Sequence, residues 1–387
     1  MISTEFSLRK LQRKVAADGI AESIVAAGEL FFRKRLGRTV FDPLTKHNFI
    51  TTLSRSDLQR YATRTSGVSN DTEKITPFVS AIDGGYVLPE TGLVLTNDFG
   101  VVEESTAPPR RAKQATMAAL SRQLFFGEFP LRQLLFATST VRVADSNFTD
   151  PVAPLIPRYQ NYYHWMITEV PKIRYLRAYE AQRDEAITLL VSADSPPFVS
   201  ETLELLGWPS SRVAYISEPT HVTQKLLIPS WSMRPADYLW ISNEILSNIH
   251  QNGMKMIDSS NSGKNVYVSR ANAIERRVVN EDEVVDALSD FDFSRCLLED
   301  NSLAENASLF ANADIVVGPH GAGLTDIIFS SDATLIELFG EKIKDPYEIL
   351  AKDVGIEYEA LYCQPESTDI IVDTDALRER VSAILDR

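Results

Sequence analysis

In the segment Asp314-Ile-Val-Val-Gly-Pro-His-Gly-Ala-Gly-Leu324, an apolar strand runs into a glycine-rich turn that holds a histidine. The residues that follow, Thr325-Asp-Ile-Ile-Phe329, predict that the chain continues as a helix. Such a junction leaves backbone N–H groups unpaired at the helix start, where the positive end of the helix dipole also lies. The segment therefore predicts a strand–turn–helix unit with a site for an anion such as a phosphate group.

The composition narrows the class of protein. The chain has 387 residues and a formal net charge of −14, which argues against a nucleic-acid partner because nucleic-acid binders are usually basic. This length favours two or three domains. Cys296 and Cys363 lie far apart without metal-ligand spacing, so we expect reduced thiols. The sequence shows no secretory-signal pattern and no apolar run long enough to span a bilayer, which predicts a cytoplasmic protein.

The pattern along the chain changes several times. Residues 5–38 look helical with basic clusters at both ends, and they suit either a solvated helical arm or helices that dock at a membrane surface. Residues 76–106 predict short strands joined by tight turns at Asp83-Gly-Gly and Pro89-Glu-Thr. From about residue 155 strands and helices alternate, which is typical of a parallel sheet covered by helices.

A polar stretch from Gln251 to Lys264 interrupts this alternation, which then restarts. The shifts predict a helical N-terminal arm over residues 1–70, an N-terminal α/β domain with a β-meander over 71–250 and a C-terminal α/β domain over 251–387. Two such α/β units predict a ligand cleft at their interface. In the C-terminal domain, Asn280-Glu-Asp-Glu283 and Ser302-Leu-Ala-Glu305 have the residues of helix caps.

Arginines follow a predicted strand of the C-terminal domain, namely Arg270, Arg276 and Arg277. Guanidinium groups pair with phosphate oxygens, and we expect these arginines at the same sheet edge as the glycine-rich turn. His320 can donate to the same phosphate. Glu337, at the end of the next strand, is expected to accept hydrogen bonds from ribose hydroxyls. The alternatives are a solvated basic face and a surface carboxylate.

The segment Asn161-Tyr-Tyr-His-Trp-Met-Ile-Thr-Glu-Val-Pro-Lys172 supplies candidates for proton transfer. A histidine such as His164 can act as a general base near neutral pH. Glu169 is the second candidate, although five residues of α-helix would not put it on the same face. The aromatic neighbours suit stacking on sugar rings or packing in a core, and both interpretations remain open here.

Metal chemistry is not indicated. Asp290-Phe-Asp292 and Asp373-Thr-Asp375 match an Asp-x-Asp pattern, but they lie at ends of predicted helices, where carboxylates act as caps. The five histidines show no paired ligand spacing. Neither a Gly-x-Ser-x-Gly elbow nor a Walker loop occurs, which argues against hydrolase and P-loop classes. We therefore predict no metal site and no cofactor.

Several motifs in one order carry a family resemblance. They are Tyr163-His-Trp165 with Pro171-Lys172, Val268-Ser-Arg270 with Arg277 and Asn280-Glu281, residues 302–310 leading into the glycine-rich turn, and Ile336-Glu-Leu338. Over roughly residues 76–345 the chain resembles glycosyltransferase family 61, in its bacterial capsule and polysaccharide branch. The resemblance implies a GT-B-like architecture of two Rossmann-like α/β domains facing an interdomain cleft, an inverting reaction and no obligatory metal.

The resemblance also implies roles for residues. His164 and Glu169 become candidates for the catalytic base, with His164 favoured. The donor or its phosphates would bind to Arg270, Arg277, Asn280, Glu281, Gly318, His320, Gly321, Ala322, Gly323, Leu324 and Glu337. The expected partners are a nucleotide-sugar donor and a glycan or glycolipid acceptor of capsule or lipopolysaccharide synthesis, with peripheral membrane association through the basic N-terminal helices.

Two alternatives to this function remain at this point. One is a non-catalytic protein that binds a nucleotide-sugar or a glycan and serves as a scaffold. The other is a different phosphosugar enzyme of the same shape, such as an epimerase, because fold resemblance alone does not fix the reaction. The donor sugar, the acceptor and the linkage are not specified by the sequence.

Overall fold

A computed structural model of the chain describes residues 52–53, 55–60, 62–64, 77–105, 144–146, 148–253, 264–341 and 343–387. These residues fall into two compact units. The C-terminal unit comprises Pro197–Trp208 and Arg234–Arg387, and the N-terminal unit comprises the described residues of Ile20–Pro196 with Pro209–Met233. The helices predicted over residues 5–38 lie outside the described residues.

The N-terminal unit contains a mixed sheet. Its strands are β1 (Thr52–Leu53), β2 (Ala62–Arg64), β3 (Phe78–Leu88), β4 (Leu93–Leu95), β5 (Val101–Val102), β6 (Ala144–Ser146), β7 (Val152–Pro154), β8 (Thr188–Ser192), β9 (Val213–Ile216) and β10 (Thr220–Pro229). Its α-helices include α1 (Arg55–Arg60) and α2 (Val170–Arg183). The strand order is β1-β5-β4-β3-β10-β7-β8-β9, with β2 on β3 and β6 on β10. Strands β7, β8 and β9 are parallel, as the alternating pattern predicts.

The β-meander differs from its prediction at one turn. Asp83-Gly84-Gly85 does not end a strand, because β3 runs through these residues and pairs with β10 on both sides of them. The pairing register shifts between Val222 and Lys225, so the glycines form an irregularity within a continuous strand. Gly84 has a φ of +76° and lies against the carbonyl oxygen of Val222, where a Cβ would come within 2.6 Å. The turn predicted after β3 is present, and β3 and β4 pair antiparallel across it.

The C-terminal unit is built around a parallel sheet with the order β12-β11-β13-β14-β15. Its strands are β11 (Asn265–Val268), β12 (Phe293–Cys296), β13 (Ile315–Pro319), β14 (Thr334–Phe339) and β15 (Glu357–Tyr362), followed by an antiparallel hairpin of β16 (Gln364–Glu366) and β17 (Asp369–Ile371). Its α-helices are α3 (Pro197–Leu205), α4 (Pro235–Gln251), α5 (Glu281–Leu288), α6 (Leu303–Ala311), α7 (Pro346–Val354) and α8 (Thr374–Leu385). The predicted α/β class with parallel strands is confirmed.

Burial explains why β13 and β14 read as continuous apolar runs. Every residue of both strands is buried, which is typical of parallel strands with both faces covered. Two helix starts follow their predictions: Ser302 and Glu305 form a capping box at α6, and Asp373 accepts a hydrogen bond from the Ala376 N–H at α8. Asn280 makes no such bond at α5, because its side chain is used elsewhere.

The grouping of α3 and α4 differs from the predicted boundary at residue 250. Both helices belong to the C-terminal unit, since Asn248 of α4 donates to the Leu205 carbonyl of α3 at 2.8 Å and Glu201 of α3 accepts from Leu303 N–H at 2.9 Å. The C-terminal unit therefore includes two helices that precede the polar stretch after Gln251. Among the described residues, no helix is both long enough and apolar enough to cross a membrane.

Candidate functional site

The sheet of the C-terminal unit contains a topological switch point. The chain forms β11, moves to β12 on one side of it, and then crosses to β13 on the other side. Ligands of open α/β sheets bind at the carboxyl ends of the strands at such a point. Ser269-Arg270 follows β11 and His320-Gly321 follows β13, so two elements singled out from the sequence lie side by side.

Arg270 and Gly321 are in direct contact. The guanidinium of Arg270 occupies the space in which a Cβ at position 321 would lie, so any larger residue there would collide with it. Gly321 has a φ of −174°, an extended conformation open to other residues, and the requirement for glycine is therefore one of space. A 3₁₀-helix, Ala322–Phe329, begins directly after it in place of the predicted regular helix.

The Arg270 guanidinium is only partly paired with protein groups. Its Nη2 donates to the Glu275 carbonyl at 3.2 Å, while its Nε is buried without a hydrogen-bond partner among the described residues. Burial, together with the nearby charge of Arg276, lowers the pKa of Arg270 to about 10. The group still carries its charge at neutral pH, and a partly unpaired, partly desolvated cation is suited to bind an anion.

A cavity of about 130 Å³ opens beside this arginine, and we call it the Arg270 cavity. Part of its lining is apolar, with Val268, Leu298 and Leu324. Ser269 and Asn272 add hydrogen-bonding groups. The glycine turn packs closely against this lining, since a Cβ at position 323 would come within 2.7 Å of the Leu298 side chain.

The remaining residues of the glycine turn divide between packing and the cavities. Gly318 lies in β13, where a Cβ would come within 2.9 Å of the Val268 Cβ, so it allows β13 to approach β11 closely. Leu324 is fully buried, and Ala322 is half-buried. Gly321, Gly323 and Leu324 line the Arg270 cavity.

His320 is held from behind by buried side chains. Its Nδ1 lies 2.5 Å from Oε1 of Glu337, and Phe339 stacks on its ring with centroids 5.7 Å apart. Tyr358 donates to the other oxygen of Glu337 at 2.8 Å. Burial and the charge of Glu337 raise the pKa of Tyr358, so its hydroxyl stays protonated and keeps donating. A carboxylate only accepts hydrogen bonds, which assigns a proton to Nδ1 and turns Nε2 away from Glu337.

This arrangement differs from the role expected for Glu337. Its side chain is completely buried, and both oxygens are engaged by His320 and Tyr358. The carboxylate is therefore not exposed to a ribose, and it positions His320 instead. Tyr358 was not among the candidates, because nothing in the local pattern of β15 links it to a residue of β14.

A second cavity, of about 120 Å³, is lined in part by His320, and we call it the Arg276 cavity. Its lining includes Arg276, Ser367 and Gly340. Arg277, the next residue in the chain, points elsewhere: its guanidinium binds Asp369 at 2.8 Å, which raises the pKa of Arg277. The two adjacent arginines thus have different roles, and Arg277 ties its loop to the β16–β17 hairpin.

Asn280 and Glu281 serve as supports of the same edge. Asn280 accepts from the Val372 N–H and donates to the Val372 carbonyl, both at 2.9 Å. Glu281 accepts from the hydroxyls of Ser269 at 2.7 Å and Tyr267 at 3.1 Å. The side chains of Asn280 and Glu281, expected to bind the nucleotide-sugar, are therefore engaged in hydrogen bonds within the protein. The bonds of Glu281 fix the end of β11.

In the N-terminal unit, the His164 segment contains a π-helix. A helical turn at Tyr162–His164 is followed by a wide turn at Trp165–Glu169, in which the Val170 N–H donates to the Trp165 carbonyl. Pro171 explains the widening, since its ring would clash with the carbonyl four residues earlier in a regular helix. Single π-helical turns are frequent at functional sites.

His164 and Glu169 have different environments in this segment. His164 is half-buried beside Tyr159 and Tyr163, with ring centroids 5.1 and 5.3 Å away. Glu169 is 2% exposed and pairs with Lys172 Nζ at 2.8 Å. Lys172 also lies 4.8 Å above the ring of Trp231. The Glu169 carboxylate is therefore part of a buried ion pair, and His164 is the more accessible of the two predicted bases.

Residues 162–336 match the glycosyltransferase 61 family. Over these residues, the chain is similar to members of that family. The matched segment contains His164, Arg270 and the whole glycine-rich turn, and it ends one residue before Glu337. It does not include Tyr358 or the β16–β17 hairpin.

The curated relatives that the chain matches are named as sugar transferases. The chain is 28% identical over 143 residues to a beta-1,2-xylosyltransferase of Arabidopsis thaliana, covering 30% of this chain and 27% of the relative. It is 33% identical over 96 residues to an EGF domain-specific O-linked N-acetylglucosamine transferase of Drosophila melanogaster, covering 24% of this chain and 18% of the relative. A beta-1,2-xylosyltransferase, RCN11, of Oryza sativa is 23% identical over 154 residues, covering 37% of this chain and 29% of the relative. The chain thus spans less than a third of the length of these relatives.

Proposed function

We propose that this chain is a glycosyltransferase that moves a sugar from a nucleotide-sugar donor to a glycan or glycolipid acceptor. The observation that carries the proposal is the contact between the Arg270 guanidinium and Gly321 at the switch point of a parallel sheet. A cation whose Nε has no partner within the described part of the chain, beside a residue without a side chain, is suited to bind the diphosphate of such a donor. The family match supports the same reaction class.

The proposed chemistry is an inverting transfer without a resident metal. The acceptor hydroxyl attacks the anomeric carbon, its bond to that carbon forms as the bond to the nucleotide oxygen breaks, and the nucleotide leaves with the electron pair. Negative charge grows on the leaving phosphate, where Arg270 and His320 stabilise it. The contact of Nδ1 with Glu337 fixes the orientation of the His320 ring and leaves Nε2 as the ring nitrogen available to the phosphate.

The base that takes the proton of the acceptor hydroxyl is proposed to be His164. Glu169 is less suitable, because its carboxylate is buried and paired with Lys172. General-base catalysis by a positioned histidine contributes about 10²–10⁴-fold to a rate. Loss of activity in His164→Ala, with donor binding retained, is the expected result.

The proposal extends to the architecture, the cellular location and the donor sugar. The chain would have the GT-B architecture, supported by a parallel arrangement of strands in each unit. It would act in the cytoplasm on a bacterial capsule or lipopolysaccharide acceptor, with peripheral membrane association through its basic N-terminal segment. The names of the relatives suggest xylosyl and N-acetylglucosaminyl donors as the first to be tested.

The test measures release of free nucleotide from a panel of nucleotide-sugars, with an acceptor glycan and with EDTA present throughout. We expect turnover with at least one donor, and a loss of about 10²-fold or more in Arg270→Ala and His320→Ala. Arg387→Ala, at an exposed position of the same unit, is the matched control. Full turnover by the Arg270 and His320 variants would overturn the proposed site. Binding without turnover would favour the scaffold alternative, and a product of unchanged composition would favour an epimerase.

A further inference from the structure

Two residues with left-handed backbone conformations meet at the Arg276 cavity. Arg276 has a φ of +63° and Ser367 a φ of +60°, in a backbone region that residues other than glycine rarely adopt. The Arg276 N–H donates to the carbonyl of Thr368, the residue after Ser367, at 2.8 Å. Strained residues that persist together at a cavity point to a function for their side chains.

Ser367 stands where a glycine is ordinarily found. It is the first of the two residues that connect β16 to β17, in a hairpin where Glu366 pairs with Asp369. Two-residue hairpin turns need a positive φ at this position, and glycine adopts it without strain. A serine here costs conformational energy that a glycine would avoid, so its hydroxyl is the part that needs an explanation.

Both residues also carry buried polar atoms without partners. Arg276 Nε and Ser367 Oγ are inaccessible to solvent, and neither has a hydrogen-bond partner within the part of the chain that the structure describes. Buried polar atoms of folded proteins are nearly always hydrogen-bonded. Two unpartnered atoms from residues that line one cavity indicate that a ligand supplies the missing partners.

The charges around the cavity favour a ligand without net charge. Arg276 lies 3.5 Å from the carboxylate of Glu275, and Asp369 is paired with Arg277. Glu341 and Lys344 add one charge of each sign to the lining. The volume of about 120 Å³ is far larger than a single water molecule requires, which is about 10–15 Å³. A neutral ring with several hydroxyl groups fits these donors and this space better than a second phosphate does.

We propose that the Arg276 cavity binds the sugar of the nucleotide-sugar donor, with Arg276 and Ser367 as residues that recognise its hydroxyl groups. The inference rests on the proposed transfer reaction. His320 connects the proposed diphosphate site with the proposed sugar site, because it directly follows β13 and also lines the Arg276 cavity. Binding of the sugar requires a change of the Ser367 rotamer, since its hydroxyl is inaccessible to solvent in this structure. Ser367 lies beyond the residues that match the family.

The test compares binding of a nucleoside diphosphate with binding of the corresponding nucleotide-sugar to the full chain by calorimetry. The probes are UDP with UDP-xylose, UDP with UDP-N-acetylglucosamine, GDP with GDP-mannose and dTDP with dTDP-glucose. Ser367→Gly removes the hydroxyl and also relieves the strained φ, so the variant folds at least as well as the natural chain. We expect it to bind the nucleotide-sugar about fivefold more weakly, as for a lost hydrogen bond, and the nucleoside diphosphate unchanged.

Three further variants make the result specific. Ser367→Ala keeps the strain but lacks the hydroxyl, and it should show the same selective loss. Arg276→Gly should lose about tenfold or more for the nucleotide-sugar only, because it removes a charged donor. Asp184→Gly relieves a left-handed residue in the N-terminal unit and should leave both affinities unchanged.

The outcomes separate this inference from the proposed function. Nucleotide-sugar affinities of the Ser367 and Arg276 variants equal to those of the natural chain would overturn the sugar site alone. An equal loss for the nucleoside diphosphate would overturn it as well, since the residues would then serve the diphosphate. A natural chain that binds none of the probes would overturn the proposed function itself.

Discussion

The Arg270 side chain lies across the backbone of Gly321, with its guanidinium in the space of the missing Cβ. This contact joins the ends of β11 and β13. Arg270 and Gly321 are 51 residues apart in sequence. The contact converts a glycine-rich turn, which can serve many purposes, into one wall of a cation-bearing site. Its consequences can be tested without knowing the sugar.

Gly321→Ala is predicted to weaken nucleotide binding by displacing Arg270. The φ of −174° is open to alanine, so the backbone should tolerate the change and the thermal-unfolding midpoint should shift little. Loss of a charged hydrogen bond to the diphosphate should raise the Kd of the nucleoside diphosphate about tenfold or more, measured by calorimetry.

A double-mutant cycle tests whether this effect acts through Arg270. If Gly321→Ala acts only by moving the guanidinium, adding it to Arg270→Ala should change the Kd no further. Additive losses would mean that the methyl group itself blocks the ligand, and the displacement mechanism would be excluded.

The His320–Glu337–Tyr358 chain predicts a graded series of variants. Tyr358→Phe removes one hydrogen bond to Glu337 and should cost stability of about 1 kcal/mol with a small effect on turnover. Glu337→Gln keeps the shape but removes the charge beside His320, and it should lower kcat/KM about tenfold or more. Nucleotide release and thermal unfolding measure the two effects. Equal losses of activity in both variants would show that the charge of Glu337 does not matter.

Sequence patterns were sufficient for the features that depend on neighbouring residues. The strand and glycine turn at Asp314–Leu324, the capping box at Ser302 and the parallel strands follow from local periodicity and turn chemistry. The position of Arg270 beside the glycine turn also followed, because the carboxyl ends of neighbouring parallel strands share one edge.

The features that were not predicted depend on contacts distant in sequence. Asn280 binds Val372 and Arg277 binds Asp369, each 92 residues away, so no local pattern shows that these side chains are already engaged. Glu337 follows the same rule, since its partners on two other elements leave it no free oxygen. The strain at Ser367 depends on a hairpin docked against the Arg276 loop, which no periodicity indicates.

The cysteines predict slow reaction with thiol reagents in the native protein. Both are free, and burial raises the pKa of Cys363 to about 11 and also raises the pKa of Cys296. A raised pKa means less thiolate, roughly one in a thousand at pH 8 for a pKa near 11, and the thiolate is the reactive form. Labelling with a chromogenic disulfide should be slow in buffer and complete for both residues in denaturant. Fast labelling of two thiols in the native state would contradict this environment.

The buried ion pair of Glu169 and Lys172 is predicted to contribute to the stability of the N-terminal unit and not to turnover. Removing one partner leaves an uncompensated buried charge, so Glu169→Leu should destabilise the N-terminal unit by about 3–5 kcal/mol. The double variant Glu169→Leu with Lys172→Met replaces both charges with apolar groups, and it should recover most of that loss in the thermal-unfolding midpoint. If His164 is the base, this double variant should also retain most of its turnover, whereas His164→Ala should lose about 10²–10⁴-fold. A double variant that is stable but as inactive as His164→Ala would instead assign Glu169 a direct part in the reaction.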